Sequence, residues 1–188
     1  MALTYSNGMP LATPAPQFHL RGTDGIEYSL DSFADSDVVV VIFTCNHCPY
    51  AQAVEDRLIA FQEAFMGRGV QLVAINSNDT EAYPADNFEA MKRRAKEKKY
   101  NFPYLLDATQ ATARAYDAAC TPDIFVFDGD RKLRYNGRFD DNWQHPEQVT
   151  QRDLERAVEC VLADRPVDFK AVPSMGCNIK WRSPVEQR

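Results

Sequence analysis

The chain lacks most of what would direct it to a membrane, a nucleic acid or an oxidising compartment. Its longest unbroken apolar run, Val38 to Phe43, is far short of the roughly 20 residues a helix needs to span a bilayer. The opening stretch MALTYSNGMPLATPAPQF has neither a basic start nor a long apolar segment. It therefore reads as neither a signal peptide nor an anchor, and the expected address is the cytoplasm. Positive charge is in deficit, with 21 Lys and Arg against 27 Asp and Glu and a net charge of −6. A nucleic-acid or anionic-membrane binder needs a basic face, so neither partner is expected. Cysteine is sparse and odd in number, with five residues at Cys45, Cys48, Cys120, Cys160 and Cys177. That scatter does not make a secreted disulfide framework. A structural zinc or iron–sulfur site usually draws on a second close pair, and none exists.

What is present is ordinary in bulk: 188 residues, 45% apolar and 26% charged, the makeup of a soluble globular protein. That length predicts one domain over 1–188, large enough to bury a core without disulfides. Phe18 and Leu20, then Ile26, Tyr28 and Leu30, alternate around Arg21-Gly22-Thr23-Asp24-Gly25 and predict a β-hairpin. Val38 to Phe43 is a β-branched run, expected as a central strand buried on both faces. Val54, Leu58, Phe61 and Phe65 recur at helical spacing after Pro49, and Val70 to Ile75 predicts a second buried strand.

A helix is expected over 84–99, its basic residues on a solvated face, and a short strand over 102–106. Asp107 and Gln110 suggest a capping box for a helix ending near Ala119. Ile124 to Phe127 and Leu133 to Tyr135 flank a hairpin turn. Thr150 and Asp153 suggest a cap for a last helix carrying Leu154, Ala157, Val158, Val161 and Leu162. Residues 1–16 read as an irregular lead-in, and the tail from Asp164, with Pro166, Pro173 and Pro184, as mostly non-helical and packed by Met175, Ile179 and Trp181. The fold class is α/β, with a mixed sheet flanked by helices, an N-terminal hairpin extension and a C-terminal tail.

The chemistry gathers at Cys45-Asn46-His47-Cys48, between the buried strand and the next helix. A helix N-terminus offers free N–H groups and the positive end of the dipole, both of which favour a thiolate. Two intervening residues in one turn let the sulfurs reach disulfide distance. On this reading Cys45 attacks, being the more acidic thiol, and Cys48 resolves, with His47 adding positive charge. His19 and His145 read as structural or solvated. Arg138 with Asp140 and Asp141 reads as a surface charge cluster, and Cys160 as incidental, off the apolar stripe of the last helix.

Strand–CxxC–helix followed by Thr121-Pro122 resembles the thioredoxin-like superfamily, and residues from about 14 to 163 are compatible with its fold. The stretch APQFHLRGTDG…YSLDSF resembles the opening of the redoxin branch, which includes alkyl hydroperoxide reductases and thiol-specific antioxidants. AACTPDIFVFDGDRKLRYNGRFDD and SMGCNIKWR are similar to a CxxC-containing, uncharacterised subgroup of it. The resemblance implies a thiol–disulfide oxidoreductase acting on a protein or small-molecule disulfide and recharged by a thiol reductant system, with no prosthetic group. It also implies a cis Thr121–Pro122 bond and a Thr121 backbone that pairs with substrate.

The departures matter. Thioredoxin has Trp before the first cysteine and Gly-Pro between the two, where this chain has Thr44 and Asn46-His47. Thioredoxin's buried acid on the preceding strand falls at Val39. The peroxidatic pattern wants Thr three places before its cysteine, where this chain has Ile42. A thiol peroxidase using Cys45 is therefore the alternative, and a metal module through Cys45, Cys48 and Cys120 the next. Cys120 and Cys177 are candidate third thiols, with Cys120 expected nearer the pair.

Overall fold

The computed structural model describes residues 3–183, so the expected irregularity at residues 1–2 and the expected non-helical tail from Pro184 onward lie outside the described residues. In chain order the strands and helices are β1 (Leu3–Tyr5), β2 (His19–Gly22), β3 (Glu27–Ser29), β4 (Val38–Phe43), α1 (Pro49–Phe65) and β5 (Val70–Asn76). There follow α2 (Phe88–Lys98), β6 (Tyr104–Leu106), α3 (Ala111–Ala115), β7 (Cys120–Thr121), β8 (Asp123–Phe127), β9 (Leu133–Asn136), α4 (Asp153–Leu162) and β10 (Met175–Asn178).

The main sheet has seven strands in the order β3-β2-β6-β5-β4-β8-β9. β4 lies parallel to β5 and antiparallel to β8, so the sheet is mixed, as expected. Alternation along a strand sends successive side chains to opposite faces. Val38, Val40 and Ile42 join Leu58, Phe61, Leu154 and Val158 in one layer. Val39, Val41 and Phe43 join Phe18, Phe33 and Tyr116 in the other. All six β4 side chains are buried, which is why the run is continuously apolar. At about 1.5–3 kcal/mol for each large apolar side chain, this strand anchors the fold and fixes where its C-terminal end emerges.

Several local expectations need correction. α3 is short and ends at Ala115, with Gln110 at its N-cap in a left-handed conformation. Asp107 does serve that helix, accepting from Ala113 N at 3.0 Å, but the Gln110 amide donates to Ser77 O and Lys180 O instead. Thr150 bonds Asp141 rather than capping α4, and Asp153 pairs with Arg138 at 2.6 Å. Asp140 is buried and held by Arg57 and Arg138 pairs with buried Asp153, whereas Asp141 keeps an exposed bond to Thr150. Arg94 of the basic α2 face makes a two-toothed contact with buried Glu55. Cys160 is buried but stays out of the core layer of Leu154, Ala157, Val158 and Val161.

The largest departure is at the termini. β1, expected irregular, and β10, in a tail expected only to be non-helical, form a second sheet in the order β1-β10-β7. β10 sits in its centre, antiparallel to both neighbours, with Cys177 opposite Leu3 on one side and Thr121 on the other. No helix among the described residues is long and apolar enough to cross a membrane.

Candidate functional site

Cys45 follows β4 directly, and Thr44 N still bonds Ile75 O at 2.9 Å, continuing the ladder to the motif's edge. Cys48 is the N-cap of α1 and Pro49 its first residue. Proline there presets the helical φ and gives up an N–H that would have no partner. Gln52 N then closes the first turn onto Cys48 O at 2.9 Å. The strand therefore fixes Cys45, and the helix fixes Cys48.

The intervening loop is held by a carboxylate the sequence did not mark. Asp86, in a 3₁₀ turn before α2, is fully buried. Its Oδ1 accepts from Asn46 N at 2.8 Å and His47 N at 3.2 Å, and its Oδ2 from Asn78 Nδ2 at 2.8 Å. His47 Nδ1 lies 2.5 Å from Oδ2 and donates to it. The ring stacks on Tyr83 with centroids 5.4 Å apart. Asn46 is tied further by Tyr104 OH, which donates to its Oδ1 at 3.0 Å, and by its own donation to Ala85 O at 2.8 Å. Val39, by contrast, is simply core, so the place of thioredoxin's strand acid stays empty of charge.

All five cysteines are free thiols and all are buried. Cys45 Sγ lies 3.6 Å from Thr121 Oγ1 and 4.0 Å from His47 Nδ1. Cys48 Sγ donates to Thr121 O at 3.1 Å. The Thr121–Pro122 bond is cis, as the resemblance implied. The structure thus brings Cys45, His47, Cys48, Thr121 and Pro122 together. The edge of Thr121 is already taken, however: β10 pairs along it, with Cys177 opposite.

Electrostatics reverse the expected order of acidity within the pair. Hydrogen bonding from Cys45 lowers the Cys48 thiol to about 4 against the opposing cost of burial, with Cys177 and Thr121 also contributing. The same bond to Cys48, then burial and the Asp86 carboxylate, push Cys45 well up. The N-cap position of Cys48 at the positive end of α1 works in the same direction. The two sulfurs share one proton, and its first loss belongs to the pair.

The order of the remaining thiols is also reversed. Cys177 packs with Cys45, Cys48 and Ala51 in one buried cluster. Cys120 points its thiol at Pro122 O, 3.5 Å away, and burial holds it far above its usual range. A cavity of about 130 Å³ opens beside the motif, lined by Tyr50, Pro122, Phe139, Trp143, Val172 and Met175 among others.

Among the described residues, the donor atoms that converge as metal ligands would are those of Cys45, His47 and Asp86, within 4.8 Å of one another. That is not the Cys45, Cys48 and Cys120 set expected from sequence. The His47–Asp86 hydrogen bond already consumes two of these donors.

No curated protein matches the chain. Among solved structures, a hypothetical protein from Sinorhizobium meliloti 1021 is 42% identical with a TM-score of 0.92, covering 96% of this chain and 100% of its own. An uncharacterized conserved protein from Geobacillus kaustophilus is 43% identical with a TM-score of 0.93, covering 98% and 99%. A thiol:disulfide interchange protein of the thioredoxin family from Chlorobium tepidum TLS is 20% identical with a TM-score of 0.63, covering 82% and 99%, and shares the fold. The Redoxin family model matches residues 10–157, from the lead-in to β2 through the CxxC and Thr121-Pro122 into α4. The chain belongs to the redoxin family.

Proposed function

We propose that the protein is a thiol–disulfide oxidoreductase working through Cys45 and Cys48. The observation that carries this reading is the contact of the two thiols in front of Thr121, with Cys45 Sγ 3.6 Å from its hydroxyl and Cys48 Sγ 3.1 Å from its carbonyl. The pair yields its first proton readily. Passing the remaining proton from Cys45 to Cys48 puts the charge on the sulfur that retains some exposure, 5% against none. Cys45 thiolate attacks one sulfur of a substrate disulfide and expels the other as a thiol. Cys48 then attacks the Cys45 sulfur and releases the second substrate thiol. The dithiol loses two electrons to the substrate and becomes the Cys45–Cys48 disulfide, which a thiol reductant restores.

His47, fixed by Asp86, donates to that carboxylate beside Cys45. With the Thr121 edge paired to β10, substrate contacts are assigned to the Thr121 hydroxyl and the Pro122 ring. An apolar substrate side chain would sit against Tyr50 and Trp143 in the adjoining cavity. Neither step needs a prosthetic group, and the reading is of a cytoplasmic enzyme.

The test is a Cys48→Ala variant exposed to disulfide substrates. It should accumulate mixed disulfides at Cys45, cleared by dithiothreitol. If adducts form at Cys48 in the matching Cys45→Ala variant and not at Cys45 in Cys48→Ala, the roles are wrong.

A further inference from the structure

The tail strand β10 carries a sulfur into the thiol pair. Met175-Gly-Cys-Asn178 has no β-branched residue and little intrinsic strand preference. It is strand because both its edges are used, by Leu3–Tyr5 on one side and Cys120–Thr121 on the other. Gly176 makes the approach to β7 feasible: a Cβ there would lie 1.9 Å from Thr121 O and 2.6 Å from Thr121 C. Isoleucine 179 continues the pairing, donating from its N–H to Ala119 O at 3.1 Å, and is itself buried in the core. The strand is thus clamped, and Cys177 is held 2% exposed with its thiol against Cys48.

A buried cysteine is usually a small apolar filler. Three features set Cys177 apart from that default. It shares one buried cluster with Cys45 and Cys48, whereas Cys120 and Cys160 do not. The electrostatics of Cys177 are tied to Cys48, and those of Cys48 to Cys45, so Cys48 is the sulfur that the other two share. Cys48 is also the more enclosed of the pair, so oxidation reaching it has a neighbour on its inner side.

We propose that Cys177 is a third redox thiol, which takes Cys48 from Cys45 once the Cys45–Cys48 disulfide has formed. This rests on the oxidoreductase reading above. In the step, the Cys177–Cys48 sulfur bond forms and the Cys45–Cys48 bond breaks. The proton leaving Cys177 ends on Cys45, and no net electrons are gained or lost. Packing of the three cysteines in one cluster keeps the closure to a bond length of about 2.05 Å local. Cys48 packs with both partners, so either sulfur can be bonded to it while the other is displaced, as exchange requires.

The timing follows from charge. In the reduced protein, burial and then the hydrogen bond and charge of Cys48 hold the Cys177 thiol up to about 12. Cys48 carries no charge when it is part of a disulfide, so part of this restraint disappears on oxidation. Cys177 is therefore quieter in the dithiol than in the disulfide state, although burial restrains it in both. The consequence is that Cys45 returns to thiol form while the oxidising equivalent is held between two buried sulfurs.

The test is disulfide mapping on the full chain. Wild-type protein is oxidised with oxidised glutathione, equilibrated, quenched in acid, alkylated under denaturing conditions and digested without reductant. The expected result is a Cys48–Cys177 peptide with alkylated Cys45, beside the Cys45–Cys48 peptide. Cys177→Ser should abolish the first and retain the second, and Cys120→Ser should retain both. Wild-type protein that forms only Cys45–Cys48, with Cys177 fully alkylated, overturns the inference and leaves the oxidoreductase reading standing. A Cys48–Cys120 link in place of Cys48–Cys177 also overturns it. Absence of any intramolecular disulfide fails both readings together.

Discussion

His47 and Asp86, 39 residues apart, meet Nδ1 to Oδ2 at 2.5 Å, and the same carboxylate holds the backbone N–H groups of Asn46 and His47. Asp86 therefore does two things at once: it shapes the CxxC loop and sets a negative charge near Cys45. That charge still pushes the Cys45 thiol up, and the hydrogen bond from the histidine ring tempers it.

Removing the ring should expose this. His47→Ala leaves Asp86 facing Cys45 without its cationic or donor partner. Cys45 alkylation near neutral pH is expected to slow by up to about tenfold, which corresponds to about one pKa unit. The disulfide should become harder to reduce, by about 30 mV for the same factor. Alkylation kinetics and a glutathione redox titration measure both. Unchanged values would take His47 out of the mechanism.

Asp86→Ala tests the structural half of the same relationship. It strands the buried donors of Asn46, His47 and Asn78. At about 1–3 kcal/mol for each unsatisfied buried group, the variant should lose several kcal/mol unless water enters. Urea unfolding at constant pH gives the figure. A loss under 1 kcal/mol would mean that the loop is held by the Tyr104 and Gln52 contacts instead.

Sequence and structure part company at this carboxylate, and the reason is physical. The CxxC, the buried strand before it and the helix after it are local patterns, written in consecutive residues. The main sheet follows from β-branched runs and helical spacing in the same way. Asp86 sits in Tyr83-Pro84-Ala85-Asp86-Asn87, which reads as polar punctuation before a helix, and nothing in the pattern points 39 residues back. β10 is hidden for a related cause. Met-Gly-Cys-Asn lacks the composition of a strand and becomes one only through partners at Leu3 and Thr121. The signal that was available was Gly176 beside a cysteine in an otherwise proline-broken tail.

The charge distribution in the thiol pair can be read directly. Ultraviolet absorbance should show a thiolate at neutral pH that disappears on acidification toward about 4. Cys48→Ala should remove that absorbance. If it persists there and vanishes in Cys45→Ala, the charge rests on Cys45 in the reduced protein.

Peroxide should be a poor substrate. Polarising an O–O bond calls for a donor aimed at the reacting oxygen. Ile42 occupies the place of the usual threonine, fully buried in β4 between Ala74 and Ile124. With one electron source, reduction of a model protein disulfide should outpace peroxide consumption. The reverse ranking would favour the peroxidase reading.

Asp123 gives a pH signature distinct from the thiols. Burial raises its carboxyl to about 6, offset in part by hydrogen bonds from Ser6, Ala119 and Asn136. A carboxyl with a raised folded pKa binds its proton more tightly in the native state. Its contribution is therefore fully present below the unfolded value near 4 and lost as pH rises through about 6. The loss amounts to at most about 3 kcal/mol for a shift of about two units. Asp123→Asn keeps most of the shape and cannot ionise. Its stability relative to wild type should therefore increase between pH 4 and 7, read from urea midpoints. A difference independent of pH would mean that Asp123 is not perturbed.

Gly176 is the position where the tail strand is most easily dislodged. A methyl group there would overlap the Thr121 carbonyl, which is backbone and cannot rotate away, with Pro122 N only 3.2 Å off. Either β10 lifts from β7 or the Thr121–Pro122 segment moves, and strain of this kind costs about 1–3 kcal/mol. For a chain of this size that is roughly 2–12 °C in Tm for Gly176→Ala. The thiol readout separates the two responses. If β10 lifts, Cys48 loses its packing neighbour Cys177, which helps keep it acidic, so its titration shifts upward while Cys45 keeps its contact with Thr121. If Thr121 moves, both cysteines lose partners, and Cys45 reactivity changes as well. An unchanged Tm with an unchanged thiol titration would show that β10 is not seated against Thr121.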